Sequence, residues 1–309
     1  MKKFLVALVI VAAAAFVYVN YSQTQREKET LNTGVIAYLG TTEEEFQNGF
    51  DNLRAFAMSS DKVDKSEGTF IGSLAKYRRV FHFYDSLMAL MMDLKAGRLD
   101  EIILPESVGR YLLSRNSFYR HVLSTEILAS GICFGFKDDS PDLRDSFNKF
   151  IEEMKADGTL AAFAKKYITT SSSKMPDPTR PDTIEDAEEL RIVVTGDMPP
   201  VDMFAGDGKP TGYNTAVLSE VGRRLGKNIK FINTDAGGRS AALFSGRADV
   251  VFWYRATESN IEGEDPLDGL FKDAPEGVIL SEPYYSWGNE IVIRMKEKQG
   301  LLGLFSSNR

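Results

Sequence analysis

The chain has 309 residues, of which 43% are hydrophobic and 26% charged, and a formal net charge of −7. That length suffices for two compact domains with proper cores, and an acidic balance without a basic patch excludes nucleic acid as a partner. One cysteine, Cys133, and two histidines, His82 and His121, rule out an internal disulfide framework and leave a zinc site without its usual ligands.

Met1-Lys2-Lys3 precedes an unbroken apolar run from Phe4 to Val19 and a polar stretch from Asn20 to Thr30. A basic start followed by an apolar core is an export signal. Two readings of residues 1–23 stand side by side, a cleaved signal peptide and an uncleaved membrane anchor. No A-x-A site directly follows the run, and the run falls short of the roughly 20 residues of a full span. No cysteine follows it either, so a lipid anchor of the bacterial lipoprotein kind is excluded. Both readings place the body of the protein at the periplasmic or extracellular face of the cytoplasmic membrane.

Val35 to Leu39 reads as a strand, and Gly40-Thr41-Thr42 opens a helix in which each threonine has a glutamate three residues later. Residues 58–70 are polar and read as a loop. Arg79 to Tyr84 is a strand, Ser86 to Leu94 carries helical patterning that ends at Gly97, and Ile102 to Leu104 is a short apolar β run. Cys133 falls in the apolar run Gly131 to Phe134, which reads as a buried strand. Leu143 to Met154 is an amphipathic helix stopped at Asp157-Gly158, and Thr159 caps a second helix through Lys166. Residues 169–188, rich in Ser, Thr, Pro and charge, form a linker. Beyond it come a strand (Leu190 to Val194), a turn (Pro199-Pro200) and a hairpin tip (Asp207-Gly208-Lys209). A helix (Thr215 to Leu225) closed by Gly226 follows, then a strand (Ile229 to Ile232) and a final strand (Gly288 to Met295).

Residues 94–104 and 243–253 share one design: a helix end, a glycine suited to a left-handed cap, and an apolar β run. Their recurrence in two α/β stretches predicts two lobes of related construction. At Gly40-Thr41-Thr42, free N–H groups of a helix start suit a carboxylate or another anion.

Leu190 to Val194, Gly196-Asp197-Met198-Pro199-Pro200, Gly208 to Tyr213, Ser245-Gly246-Arg247-Ala248-Asp249 and Ser281 to Tyr285 resemble the first half of the extracellular solute-binding protein family 3. Gly40-Thr41-Thr42, Ala96 to Asp100 and Lys155 to Leu160 resemble its second half, which here comes first. The resemblance implies an α/β fold of the two-lobed periplasmic-binding-protein type 2 kind, its lobes in circularly permuted order and its hinge made of two crossing strands. Gly131 to Phe136 and Glu290 to Met295 are the candidate crossings. The implied layout is a lobe at 33–130, a hinge strand and helices packing on the other lobe at 131–168, and the linker at 169–188. The second lobe with its hinge strand follows at 189–296, and a tail at 297–309.

The resemblance also implies a ligand set, with departures. Relatives that bind amino acids supply an arginine through a Thr-x-x-Arg motif, whereas Thr257 to Asn260 has none, so Arg255 or Arg239 stands in. The place of the aspartate that meets an α-amino group is Pro105, followed by Glu106. Met198 and Val201 replace aromatic residues beside the Pro-Pro turn. Phe252, Trp253 and Tyr254 offer an aromatic wall, from which strand alternation turns one or two into the core. The candidate ligand residues are Thr41, Thr42, Glu106, Asp197, Arg239, Trp253, Tyr254 and Arg255, with no cofactor and no metal.

The function implied is capture of a small polar solute, an amino acid or related compound, in an interlobe cleft. The protein would act as a monomer and hand the solute to the membrane permease of an ABC-type importer. The alternative is a membrane-anchored sensing or docking module. An enzyme on the same scaffold is a third reading. Asp197, Asp202, Asp235 and Glu106 are acid–base candidates, but no nucleophile–base pair or phosphate loop accompanies them.

Overall fold

The computed structural model describes residues 30–37, 39–59, 64–66, 68–169, 176–259, 271 and 273–296. The N-terminal apolar run and the tail lie outside the described residues.

The first lobe, lobe A, contains β1 (Thr30–Ile36), α1 (Glu43–Ser59), α2 (Phe70–Lys76), β2 (Arg78–Tyr84), α3 (Leu87–Ala96), β3 (Glu101–Pro105) and α4 (Glu106–Arg115). A long strand, β4 (Tyr119–Lys137), leads out of it to α5 (Pro141–Ala156), α6 (Thr159–Ala164) and a π-helical turn at Lys165–Thr169. Lobe B continues with β5 (Glu189–Val194), β6 (Asp197–Met198), β7 (Asp202–Phe204), β8 (Pro210–Thr211), α7 (Tyr213–Leu225) and β9 (Asn228–Asn233). It closes with α8 (Arg239–Phe244), β10 (Val250–Ser259), β11 (Val278–Leu280) and β12 (Tyr285–Met295).

The strands run in the order β2-β1-β3-β12-β4-β10-β5-β9, with β11 also on β4. In lobe A, β1 is parallel to β2 and β3; in lobe B, β5 is parallel to β9 and β10. Two strands cross between the lobes. Residues 119–125 of β4 pair with 290–295 of β12 in lobe A, while residues 131–137 of β4 pair with β10 and β11 in lobe B. At the lobe B end of the crossing Gly131 and Ile132 face Ser286 and Tyr285, and the β12 register shifts at Ser286/Gly288 and at Asn289/Glu290. Gly288 holds a left-handed φ of 67°, which a side chain would strain, so the kink belongs to glycine.

Local chemistry fixes most boundaries. Ser86 caps α3 by accepting from the Ala89 N–H, and Gly97 ends it at φ 75°. β1 differs from the expected Val35–Leu39: it starts at Thr30 because Asn32 and Thr33 are satisfied by Asp100 and Glu101. The expected Thr159 cap is also corrected, since Gly158 takes the cap position and Asp157 accepts from the Thr159 N–H. The described part of the linker, 176–188, is irregular but tied down. Tyr167 Oη donates to the Asp177 carbonyl, Arg180 pairs with Asp207, and Asn228 exchanges hydrogen bonds with Ile184.

One apolar cluster joins Leu90, Ile102 and Leu104 of lobe A to Phe134, Phe147, Ile192, Val217 and Phe252 of lobe B. A second, in lobe A, is aromatic and contains Phe46, Phe50, Phe70 and Phe81, together with Phe271 from the far end of the chain.

Candidate functional site

In parallel α/β sheets a ligand crevice lies beyond the carboxyl ends of the strands. Here the carboxyl ends of β1, β2 and β3 in lobe A face those of β5, β9 and β10 in lobe B, with the lobes in contact. Arg255 of β10 reaches across and donates through Nη2 to the carbonyls of Ile36 (2.6 Å) and Ala37 (2.7 Å), just past β1. Asp197, just past β5, accepts from the Leu87 N–H at the start of α3. Asp85, after β2, lies beside Gly237, after β9.

In this interface one carboxylate, Asp273, is held by the Arg239 guanidinium and by backbone N–H groups, with the Arg255 Nε 3.9 Å away. Arg239 Nη2 donates to its Oδ1 (3.0 Å) and Arg239 Nη1 to its Oδ2 (3.4 Å). The backbone N–H of Arg255 donates to Oδ2 at 2.7 Å, and the Leu39 N–H of lobe A to Oδ1 at 3.4 Å. Asp273, Arg239 and Arg255 are 1%, 0% and 3% exposed. Arg239 is held from every side: Nε and Nη1 also donate to the Ala236 and Trp253 carbonyls, and its guanidinium lies 3.7 Å from the Trp253 ring centroid. A buried cation stacked and hydrogen-bonded in this way is rigid and needs an anion. Asp273 supplies one.

Beside the arginines, Thr195 links two acids. The Trp253 Nε1–H donates to Thr195 Oγ1 at 3.3 Å, Asp197 Oδ1 lies 2.8 Å from that oxygen, and Asp202 Oδ2 is also in hydrogen-bonding range. Asp202 accepts the N–H groups of Thr195 (3.2 Å) and Gly196 (2.9 Å). One hydroxyl proton cannot serve two carboxylates, so one acid brings its own proton. Asp202 is that acid: complete burial, reinforced by the nearby Asp197 charge, pushes its carboxyl up to about 7. Burial also raises Asp197 above the usual carboxylate range.

The other sequence-predicted residues lie around this centre. Tyr254 packs under Arg239, its hydroxyl 2.8 Å from Ser240 Oγ. Phe252, Trp253 and Tyr254 are all buried, with a register shift between Val251 and Tyr254 in β10, so these rings brace Arg239 and the core and leave no open aromatic wall. Glu106 pairs with Arg110 one helical turn on and lies against the Gly288 kink. Its charge, after burial, raises the neighbouring Tyr285 hydroxyl to about 12. Thr42 is exposed and forms a reciprocal capping box with Glu45, while Thr41 belongs to the preceding turn. Asp235 accepts the Gly238 N–H at the start of α8. The sequence reading missed Asp273 and Phe271, because nothing in their local pattern distinguishes them from any acid or aromatic residue in an irregular stretch.

Among the described residues no group of three or more His, Cys, Asp or Glu could hold a metal ion. A groove lined by Arg180, Asp182, Lys209, Asn228 and Phe231 lies by the amino ends of β5 and β9, at the opposite end of lobe B from the interface.

The sequence of lobe B carries the relationship. Residues 190–259, from β5 through β10, match the family model of the bacterial extracellular solute-binding proteins, family 3. The likeness to that family is confined to this stretch. A curated relative, described as a probable ABC transporter extracellular-binding protein YckB of Bacillus subtilis (strain 168), is 30% identical over 113 residues. The match spans 35% of this chain and 35% of that relative, about a third of its length. Solved structures of similar outline include a periplasmic VFT2 domain of BvgS from Bordetella pertussis (TM-score 0.38, 11% identity, 94% of this chain and 93% of that one). Another is the ligand-binding component of an ABC-type import system from Staphylococcus aureus (TM-score 0.41, 8% identity, 87% of this chain and 66% of that one). In this chain two α/β lobes are joined by β4 and β12. Among the described residues no helix is long and apolar enough to cross a membrane.

Proposed function

We propose that the protein is an exported solute-binding protein whose interlobe site recognises a small polar solute through a carboxylate, in the service of an ABC-type importer. The observation that carries this reading is a single buried carboxylate held by the Arg239 guanidinium and the Arg255 backbone N–H beside the carboxyl end of β1. A solute carboxylate in that position would gain the charge-assisted bonds that Asp273 now makes, and Asp197 offers a negative partner for an ammonium group nearby. The relative's description as an extracellular-binding protein supports the transport role. The basic and apolar start of the chain supports export.

The chain order fits a circular permutation of the usual lobes. Lobe A has its strands in the order β2-β1-β3-β12-β4, and lobe B repeats that pattern as β9-β5-β10-β4-β11. The stretch resembling the start of the family begins at β5, just after residues 169–188, where the two ends of an unpermuted chain would meet.

A thermal-shift screen of the folded part against amino acids, small carboxylates and polyamines tests the function. A dose-dependent rise with carboxylates, weakened at least roughly tenfold in apparent affinity by Arg239→Lys, which keeps the charge and loses the paired guanidinium donors, is the expected result. A rise with polyamines alone would reject the carboxylate reading. A docking role without solute is the second reading, favoured by the occupation of the Arg239 guanidinium by Asp273 and of the Arg255 guanidinium by the Ile36 and Ala37 carbonyls. Silence across the panel would favour it.

A further inference from the structure

Phe271, seven residues before β11, lies in the aromatic core of lobe A, with its ring centroid 5.8 Å from Phe46 and 6.3 Å from Phe50. Two residues later Asp273 meets Arg239 and Arg255 of lobe B and the Leu39 N–H of lobe A. From Ala274 onward the chain packs on lobe B again, where Val278 to Leu280 pair with β4. Asp273 thus has the attributes of a bound solute: full burial, contacts to both lobes, and a carboxylate held by the Arg239 guanidinium and the Arg255 backbone N–H. Phe271 supplies an apolar anchor in the lobe opposite the arginines. Breaking such a buried ion pair by removing one partner leaves a charge uncompensated, so the pair resists opening.

We propose that Phe271 and Asp273 form a built-in occupant of the interlobe site. They latch the two lobes together in the absence of solute, and a small carboxylate binds by taking the place of Asp273. This rests on the Arg239 guanidinium and the Arg255 backbone N–H being the carboxylate site of the proposed function, and it adds that the site is regulated from within the chain. Binding is then an exchange of one carboxylate for another, with both lobes already in contact, and the affinity for external carboxylates is set by competition with a tethered one.

Chemical rescue tests the occupant. Asp273→Ala should melt roughly 5 to 10 °C below the wild type. Acetate should restore the loss in a dose-dependent way, at concentrations lower than any that shift the wild type, where it must displace Asp273, while chloride at equal ionic strength does not. A melting temperature like that of the wild type, or rescue by chloride as readily as by acetate, overturns the assignment of Asp273. Phe271→Ala keeps both arginines and Asp273 and tests the latch by small-angle scattering. An increased radius of gyration is expected, and a profile identical to the wild type overturns the latch. Neither readout requires the natural solute, so failure of the solute screen and failure of the latch remain separate results.

Discussion

At Thr195 a single side-chain hydroxyl lies between two acids that burial has made reluctant to ionise, and the shared proton has a pH signature. The folded state holds Asp202 protonated up to about 7, whereas an unfolded chain releases that proton near the ordinary 3.8. Between those values the folded form binds the extra proton. The stability linked to Asp202 is therefore greatest below the unfolded value and declines as pH rises toward 7. Asp202→Asn keeps the shape and removes the titration. Melting curves at about pH 5 and about pH 8 should show the wild type losing more stability than the variant over that interval. Equal losses in the two proteins would mean that Asp202 is ionised throughout.

Within the sheet of lobe A, three strands are joined by one acid. Glu101 at the start of β3 is fully buried, accepts from Arg79 Nε of β2 at 2.7 Å and from Arg294 of β12 at 2.7 Å, and receives the Thr33 hydroxyl of β1 at 3.0 Å. Glu101→Gln should destabilise the fold by about 3–5 kcal/mol, because a buried arginine loses its counter-charge; chemical denaturation measures it, and a loss below about 1 kcal/mol would show that water or another acid compensates. Elements of this kind explain how much the sequence discloses. The helix ends at Gly97, Asp157-Gly158 and Gly226 and both crossing strands were legible, because capping and apolar runs are local signals. So were Arg239 and Arg255 as candidates. Their partner was not, since Asp273 meets Arg239 across 34 residues of sequence and Ile36 meets Arg255 across 219, and no local pattern records such distances. Thr42 was legible as a helix start, but a cap and an anion site have the same sequence signature.

Across the whole molecule, the lobes meet through polar contacts at the strand ends, through the anchored Phe271 and through the two crossing strands. With the site already filled, the form without solute should resemble the liganded one. Small-angle scattering of the wild type should give a profile that matches the closed arrangement and does not contract when a binding carboxylate is added. A contraction of the radius of gyration on addition would show an open resting state, as expected of a hinge that waits for its ligand.

β1 and β12 give the chain one further property. Asn32 is level with Asp100 at the start of β3, and Ile293 pairs with Ile102, so Met295 also ends beside that start. Thr30 and Met295 therefore emerge on one rim of lobe A, the rim opposite the interface, about two strand spacings or roughly 10 Å apart. Any membrane tether before Thr30 and any extension after Lys296 share a single point of attachment. Lobe B is reached from that rim only through the crossing strands and the interlobe contacts. A rotation about the hinge would swing lobe B without pulling on either Thr30 or Met295.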